Sequence, residues 1–295
     1  MQTIATRWEL RTRTLQFGRL PAIMGIVNVT PDSFSDGGKF FTPDLAVQHA
    51  LQLAAAGADI LDIGGESTRP FSATVSVDDE LDRVMPVIQA LRGQVSIPIS
   101  IDTSKSEVAQ AAIEAGAEII NDVTGLSGDP NMVHIAAEAG VGVCAMHMQG
   151  TPKTMQNNPT YENLLVEITD YLASRDAQLI SAGIAPQRVC LDPGIGFGKT
   201  HEHNLELVRY AERFLQLGRP ILIGHSRKAF IGKLIGDSAS DRTAGTLGLS
   251  LALASKGIQV LRVHDVKSTR EALQCFFAAH DHATASEYLE ARAQS

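Results

Sequence analysis

The sequence predicts an α/β protein, a single-domain (β/α)8 TIM barrel led by a short N-terminal β-hairpin. Three observations predict it. Apolar runs of four to seven residues, rich in Ile, Val and Leu, recur along the chain. Stretches with helical apolar period separate them. A glycine closes most of the helical stretches just before the next apolar run.

From the N-terminus, WELRTRTLQFGRL alternates apolar and polar residues, so residues 1–20 form a hairpin extension that closes the barrel bottom. Counting AIMGIVN at 22–28 as the first, eight apolar runs centre near residues 25, 61, 100, 119, 143, 190, 222 and 261. Runs this short and this apolar match parallel strands buried on both faces. The first helix places Leu45, Ala46, His49, Ala50, Leu53 and Ala54 on one face. Gly57, Gly93, Gly116, Gly140, Gly218 and Gly257 stand where a helix gives way to a strand, and Gly183 does so with a longer gap. That position favours the left-handed conformation. Eight such units in about 240 residues suit a closed barrel over 21–282. An open doubly wound sheet is the alternative, but units this regular close more naturally than they stay open. Residues 283–295 remain as a C-terminal tail, and the chain after His280 reads as a polar helix.

Composition narrows the class. The chain has 295 residues, 44% hydrophobic and 20% charged, as ordinary globular proteins do. No apolar run reaches the roughly 18 residues that cross a bilayer. The N-terminus carries charges throughout and lacks an apolar signal core. A cytoplasmic protein with no membrane partner is expected. Cys144, Cys190 and Cys275 fit no disulfide or CxxC pattern and read as small buried hydrophobes. The net charge of −8 argues against nucleic acid as a partner. Any bound anion therefore needs a local site.

A polar or glycine-rich cluster follows every predicted strand. In order these are NVTPDSF from Asn28, GGESTRP from Gly64, DTSK from Asp102, Asn121-Asp122, MHMQG from Met146, DPGIGFGK from Asp192, GHSRK from Gly224, and RVHD from Arg262. In a barrel all strand C-termini emerge on one face, so the clusters converge on one mouth. Taken singly, each has an ordinary structural reading. Asp102 and Asp192 suit helix N-caps, and His147 and His264 suit core histidines. GFGK lacks the spacing of a nucleotide phosphate loop.

Convergence shifts the balance. Asp102, Asn121, Asp192 and Lys228 are expected to project inward from four strands. Two carboxylates, a carboxamide and an ammonium form a frame for a flat heterocycle with mixed donors and acceptors. Ser226-Arg227-Lys228, Arg262-x-His264 and Thr68-Arg69 bring positive charge to the same mouth, which suits an anionic leaving group such as phosphate or diphosphate.

Together these clusters resemble the dihydropteroate synthases. MGIVNVTPDSFSDGG at 24–38, GADILDIGGESTRP at 57–70 and LDPGIGFGK at 191–199 are similar to that family's signatures, and SRK and RVHD follow in its order. The resemblance covers nearly the whole chain. It implies that a dihydropterin-methyl diphosphate condenses with 4-aminobenzoate in folate biosynthesis. It also implies roles. Asp102, Asn121, Asp192 and Lys228 match the pterin pocket, lined by Met146, Phe197 and Gly224. Asn28 matches a residue holding Mg2+ and diphosphate. Arg262 and His264 match the anion site, with Arg262 also against the pterin face. Thr68 and Arg69 match positions near the diphosphate, and with Pro70 and Phe34 they shape the aminobenzoate site. Ser226 and Lys228 border that site. Asp102, Lys228, Arg69 and Thr68 are the expected catalytic set. The loop 30–38 is expected to act as a lid. His225 stands where some relatives have a less polar residue, which bears on the pocket's polarity.

Two rival readings share the barrel and the pterin frame. Pterin-binding methyltransferases need no aminobenzoate or diphosphate site, and the TPDSF, STRP, SRK and RVHD segments argue against them. A non-catalytic pterin-binding paralogue would lose loop or anion-site residues first, and none is lost. Helix 243–255 is apolar nearly all round, which points to a homodimer through the last helices.

Overall fold

The structure is a computed structural model that describes residues 4–30, 43–68, 72, 74–236 and 241–280. It opens with an antiparallel hairpin, β1 (Arg7–Glu9) and β2 (Thr14–Gln16), with Trp8 opposite Leu15. Eight parallel strands follow. They are β3 (Ala22–Asn28), β4 (Ile60–Gly64), β5 (Ile99–Asp102), β6 (Ile119–Asp122), β7 (Gly142–Met146), β8 (Val189–Asp192), β9 (Leu222–Ile223) and β10 (Val260–Val263). Their lateral order is β8-β7-β6-β5-β4-β3-β10-β9, and a parallel bridge between Leu191 and Ile221 joins the two ends. The sheet is a barrel, as the spacing of apolar runs predicts.

Helices alternate with strands around it. They are α1 (Pro43–Ala55), α2 (Val77–Leu91), α3 (Ser106–Ala115), α4 (Met132–Ala139), α5 (Leu164–Ser181), α6 (His201–Arg209), α7 (Ala229–Ile235), α8 (Thr243–Ser255) and α9 (Val266–His280). Both α7 and α8 lie between β9 and β10. All seven glycines expected after helices have positive φ, from 62° at Gly140 to 119° at Gly116. At Gly116 the left-handed turn lets its N–H reach back to the carbonyls of Ala112 and Ile113, capping α3. On α1 the expected face holds for Ala46, Ala50 and Leu53, which are buried. Leu45 is 40% exposed instead, because it falls about 100° around the helix from Ala46.

The main core lies between the strands' outer faces and the helices, and Ile23, Leu61, Ile101, Ile120 and Val143 belong to it. Each such side chain contributes about 1.5–3 kcal/mol when fully buried. A second core fills the barrel's lower interior. Met24, Ile60, Ile119, Cys144, Cys190, Leu222 and Val260 meet Trp8 and Leu10 there. The hairpin thus plugs the barrel bottom, and Trp8 Nε1 donates to the Arg188 carbonyl at 2.9 Å. Cys144 and Cys190 are buried as expected, whereas Cys275 is exposed on the outer side of α9.

Candidate active site

Side chains two apart on a strand share a face. The apolar floor therefore fixes what stands above it. Two residues beyond Ile60, Ile119, Cys144, Cys190, Leu222 and Val260 come Asp62, Asn121, Met146, Asp192, Gly224 and Arg262. Strand register sets Asp102 level with Gly64 on one side and Asn121 on the other. The sequence-predicted frame residues Asp102, Asn121 and Asp192 are thereby brought into one polar layer with Met146, Gly224 and Arg262.

Arg262 organises this layer. Its Nε donates to Asp62 Oδ2 at 2.6 Å and its Nη2 to Asp102 Oδ2 at 2.6 Å. Asn121 Nδ2 donates to the same Asp62 oxygen at 3.1 Å. The other oxygen, Asp62 Oδ1, is buried without a hydrogen-bond partner. Sequence reasoning missed Asp62, which lies inside the run ADILDIG. Its parity with Asn121 and Asp192 above the floor was the available signal. The positive charge expected from Arg262 is consequently matched by two carboxylates within the mouth.

Burial sets the electrostatics. It pushes Asp102 up to about 7, with Arg262 pulling back and Asp62 pushing further. It also raises Asp192, against the Gly194 N–H and Lys228. Lys228 is lowered to about 7 by burial, although Asp192 opposes the shift. Burial disfavours the Arg262 charge as well, but Asp62 and Asp102 outweigh it and raise that pKa. Perturbed groups gathered in one mouth are the mark of a functional site.

The loop after β8 turns through three left-handed glycines, Gly194, Gly196 and Gly198, with φ of 72°, 85° and 64°. A Cβ on Gly194 would lie 1.9 Å from the His147 carbonyl oxygen, so the loop can pass only as glycine. Asp192 Oδ1 accepts the Gly194 N–H at 2.7 Å. The loop presents Phe197, and Lys228 Nζ stands 4.5 Å from its ring centroid while donating to the Ile195 carbonyl. Lys199 is a second residue that sequence reasoning passed over. It is buried, with Nζ 2.9 Å from His147 Nδ1 and 2.8 Å from the Phe197 carbonyl. Burial, then Lys199, lowers His147 to about 3, and burial carries Lys199 well below its ordinary value. His147 is thus a satisfied core histidine.

Lys228 does not project from a strand. It caps α7, five residues past β9, and the turn at 224–228 carries it to the mouth. Within that turn Ser226 Oγ accepts the His264 N–H at 3.2 Å and lies 3.0 Å from His264 Nδ1. His225 faces away from the pocket. Its Nε2 is 2.8 Å from Ser250 Oγ on α8, so it leaves the pocket's polarity unchanged.

The loop after β4 starts at a close approach, since a Cβ on Gly65 would lie 2.8 Å from Val84 Cγ1. Arg83 Nη1 donates to the Gly65 carbonyl at 2.8 Å. Lys105, from the loop after β5, pairs with Glu66 and, at 2.5 Å, with the fully buried Glu80 of α2. This anchors the base of the loop that carries half-buried Thr68. Asn28, at the end of β3, is level with Gly64. Phe34, Arg69, Pro70 and the expected lid at 31–38 lie outside the described residues.

A model of the pterin-binding enzymes matches residues 24–264. The dihydropteroate synthase of Escherichia coli K12 is 47% identical over 254 residues, 86% of this chain and 90% of its own. This chain belongs to the dihydropteroate synthase family. Its barrel matches the Xanthomonas albilineans dihydropteroate synthase solved with 4-aminobenzoic acid, with a TM-score of 0.87 and 43% identity over 95% of this chain and 100% of that one. The same enzyme solved with 7,8-dihydropteroate gives a TM-score of 0.84 and 42% identity, over 94% and 100% of the two chains. As a dihydropteroate synthase, the chain is a transferase of folate biosynthesis.

Proposed function

We propose that this mouth condenses (7,8-dihydropterin-6-yl)methyl diphosphate with 4-aminobenzoate, releasing 7,8-dihydropteroate and diphosphate. The observation that carries the proposal is the polar layer itself. Asp102 and Asn121 stand level above the apolar floor, Arg262 is bonded to Asp102, and the turn after β9 carries Lys228 towards them. The relative that binds 4-aminobenzoic acid and 7,8-dihydropteroate has the same barrel.

In this reading Asp192 accepts from the ring N–H and amino group of the pterin, and Lys228 donates to its carbonyl oxygen. Asn121 completes that edge. Met146, Phe197 and Gly224 line the pocket. Asp102 lies against the ring that gains positive charge as the C–O bond to diphosphate breaks, and its carboxylate stabilises that charge. Arg262, His264, Thr68 and Arg69 hold the departing diphosphate. Ser226 and Lys228, with Phe34 and Pro70, border the aminobenzoate. The arylamine is already neutral near pH 7, so the attack on the methylene carbon needs no strong base.

A Mg2+ ion fits the donor set only as one carried in by diphosphate. Among the described residues no group of three or more His, Cys, Asp or Glu is arranged to hold a metal ion. Mg2+ keeps several waters and takes one or two protein oxygens beside phosphate oxygens, so the Asn28 carboxamide suffices. When bound, the ion neutralises charge on the leaving diphosphate.

A cytoplasmic homodimer completes the proposal. Among the described residues no helix is long and apolar enough to cross a membrane. Leu247, Leu249 and Leu251 of α8 are only half-buried, and Leu234 and Ile235 at the end of α7 are 53% and 46% exposed. Light scattering should give twice the chain mass, and a monomer at micromolar concentration would exclude the dimer. The activity itself is tested by incubating the protein with both substrates and Mg2+ and following 7,8-dihydropteroate. Pterin binding without product would instead favour a non-catalytic pterin-binding protein.

A further inference from the structure

Helix α8 buries two hydroxyl groups beside the apolar residues Leu253 and Ala254. Its sequence, TAGTLGLSLALAS, is almost wholly apolar, yet Thr246 and Ser250 are among the residues it buries, while the intervening leucines are half-buried. An ordinary surface helix buries its apolar stripe. With Arg242 at the N-cap, the inward polar groups fall four residues apart and so share one face. That face meets the turn that delivers Ser226 and Lys228.

The contacts converge on one peptide unit. Arg227 has φ of 57°, a left-handed conformation that a residue with a long side chain rarely adopts. Its side chain is exposed, so nothing that side chain packs against compensates for the conformation. The backbone is held on both sides instead. The Arg227 N–H donates to Thr246 Oγ1 at 3.2 Å, and the Arg227 carbonyl accepts from Arg242 Nη1 at 2.8 Å. Thr246 Oγ1 in turn donates to the Arg242 carbonyl at 2.8 Å, which leaves its lone pairs facing Arg227. One turn further on, Ser250 Oγ donates to the Thr246 carbonyl at 2.9 Å, so it accepts from His225 Nε2 at 2.8 Å. The left-handed residue reverses the chain between two neighbours. On one side Ser226 Oγ meets His264, and on the other Lys228 reaches Phe197 and the Ile195 carbonyl.

We infer that Thr246 is a positioning residue for the reaction. Supported by Arg242 and by the Ser250–His225 contact, it holds Arg227 left-handed and so sets Ser226 and Lys228 at the mouth. The inference rests on the reading that Ser226 and Lys228 contact substrate. Helix α8 then serves the site through its polar face.

Thr246→Val keeps the shape and removes the hydroxyl, so it should raise KM for 4-aminobenzoate and Kd for the pterin by about tenfold, the effect of one lost hydrogen bond to the turn. Thr246→Ser restores the hydroxyl and should return both constants to near the parent values. Thermal denaturation of each variant separates folding from positioning. Lower Tm with unchanged KM and Kd in Thr246→Val would overturn the inference, as would equal damage from Thr246→Ser. The underlying reading fails separately, if Ser226→Ala and Lys228→Ala leave both constants unchanged.

Discussion

Arg262 and Asp102 are joined across the barrel, Nη2 to Oδ2 at 2.6 Å, from strands three places apart in the sheet. Asp62 holds the same guanidinium at its Nε, also at 2.6 Å. A charge fixed by two carboxylates keeps its orientation without substrate, and such preorganisation is what transition-state stabilisation needs.

That geometry makes Asp62 a determinant of turnover through the guanidinium it orients. Asp62→Asn keeps the shape and removes the charge that orients Arg262. It should lower kcat/KM for the pterin diphosphate by about 10–100-fold, the scale of one broken charge-assisted contact. KM for 4-aminobenzoate should hardly move. Steady-state kinetics with each substrate varied in turn checks both halves.

Pterin binding should depend on pH in a bell. Asp102 must be ionised to face the ring, so binding falls as pH drops through its value of about 7. Lys228 must be protonated to donate, so binding falls as pH rises through its value, also about 7. The optimum for a pterin ligand that does not itself titrate therefore lies near neutrality. Calorimetric titration across pH 5–9, a range of about two units on either side of that optimum, reads the curve. Lys228→Met should weaken binding and flatten the alkaline limb, and Asp102→Asn should flatten the acid limb.

The Lys105 triad is a stability element with a functional address. Its ammonium is raised in pKa because Glu66 and Glu80 outweigh its burial. A raised lysine contributes stability at every pH below its unfolded value of about 10.5 and loses it only as pH climbs through the folded value. Lys105→Met leaves Glu80 buried and unpaired, so it should cost about 2–4 kcal/mol at pH 7 by urea denaturation. Adding Glu80→Gln should recover part of that cost.

The hairpin plug is expected to carry stability without activity. Trp8 is fully buried against the floor. Trp8→Ala should cost about 3–5 kcal/mol. At a temperature where the variant stays folded, KM for both substrates should match the parent. Thermal melts and kinetics at low temperature test the two statements.

Much of this architecture is written locally in the chain. The helix-ending glycines mark the units because only a left-handed residue lets each chain segment turn back into the barrel. The period-2 parity of buried strands then lifts Asn121, Asp192 and Arg262 above the floor. Other features depend on neighbours far away in sequence. Asp62 reads as one polar letter in an apolar run until Arg262, 200 residues later, is seen to need it. Lys199 looks like the end of a glycine loop until His147 is placed 2.9 Å from it. Lys228 reaches the mouth through a turn that Thr246 holds, which no strand pattern announces. Leu45 and Cys275 are exposed because helix rotation, not residue type, decides which side faces the sheet.

We propose that one polar layer above the barrel floor positions both substrates for displacement of diphosphate. The most direct test is diphosphate release by the purified, folded chain with the pterin diphosphate, 4-aminobenzoate and Mg2+. The prediction is release that rises with 4-aminobenzoate, matched mole for mole by 7,8-dihydropteroate and lost in Asp192→Ala. Absence of release from the folded protein, or full release by Asp192→Ala, would contradict the account.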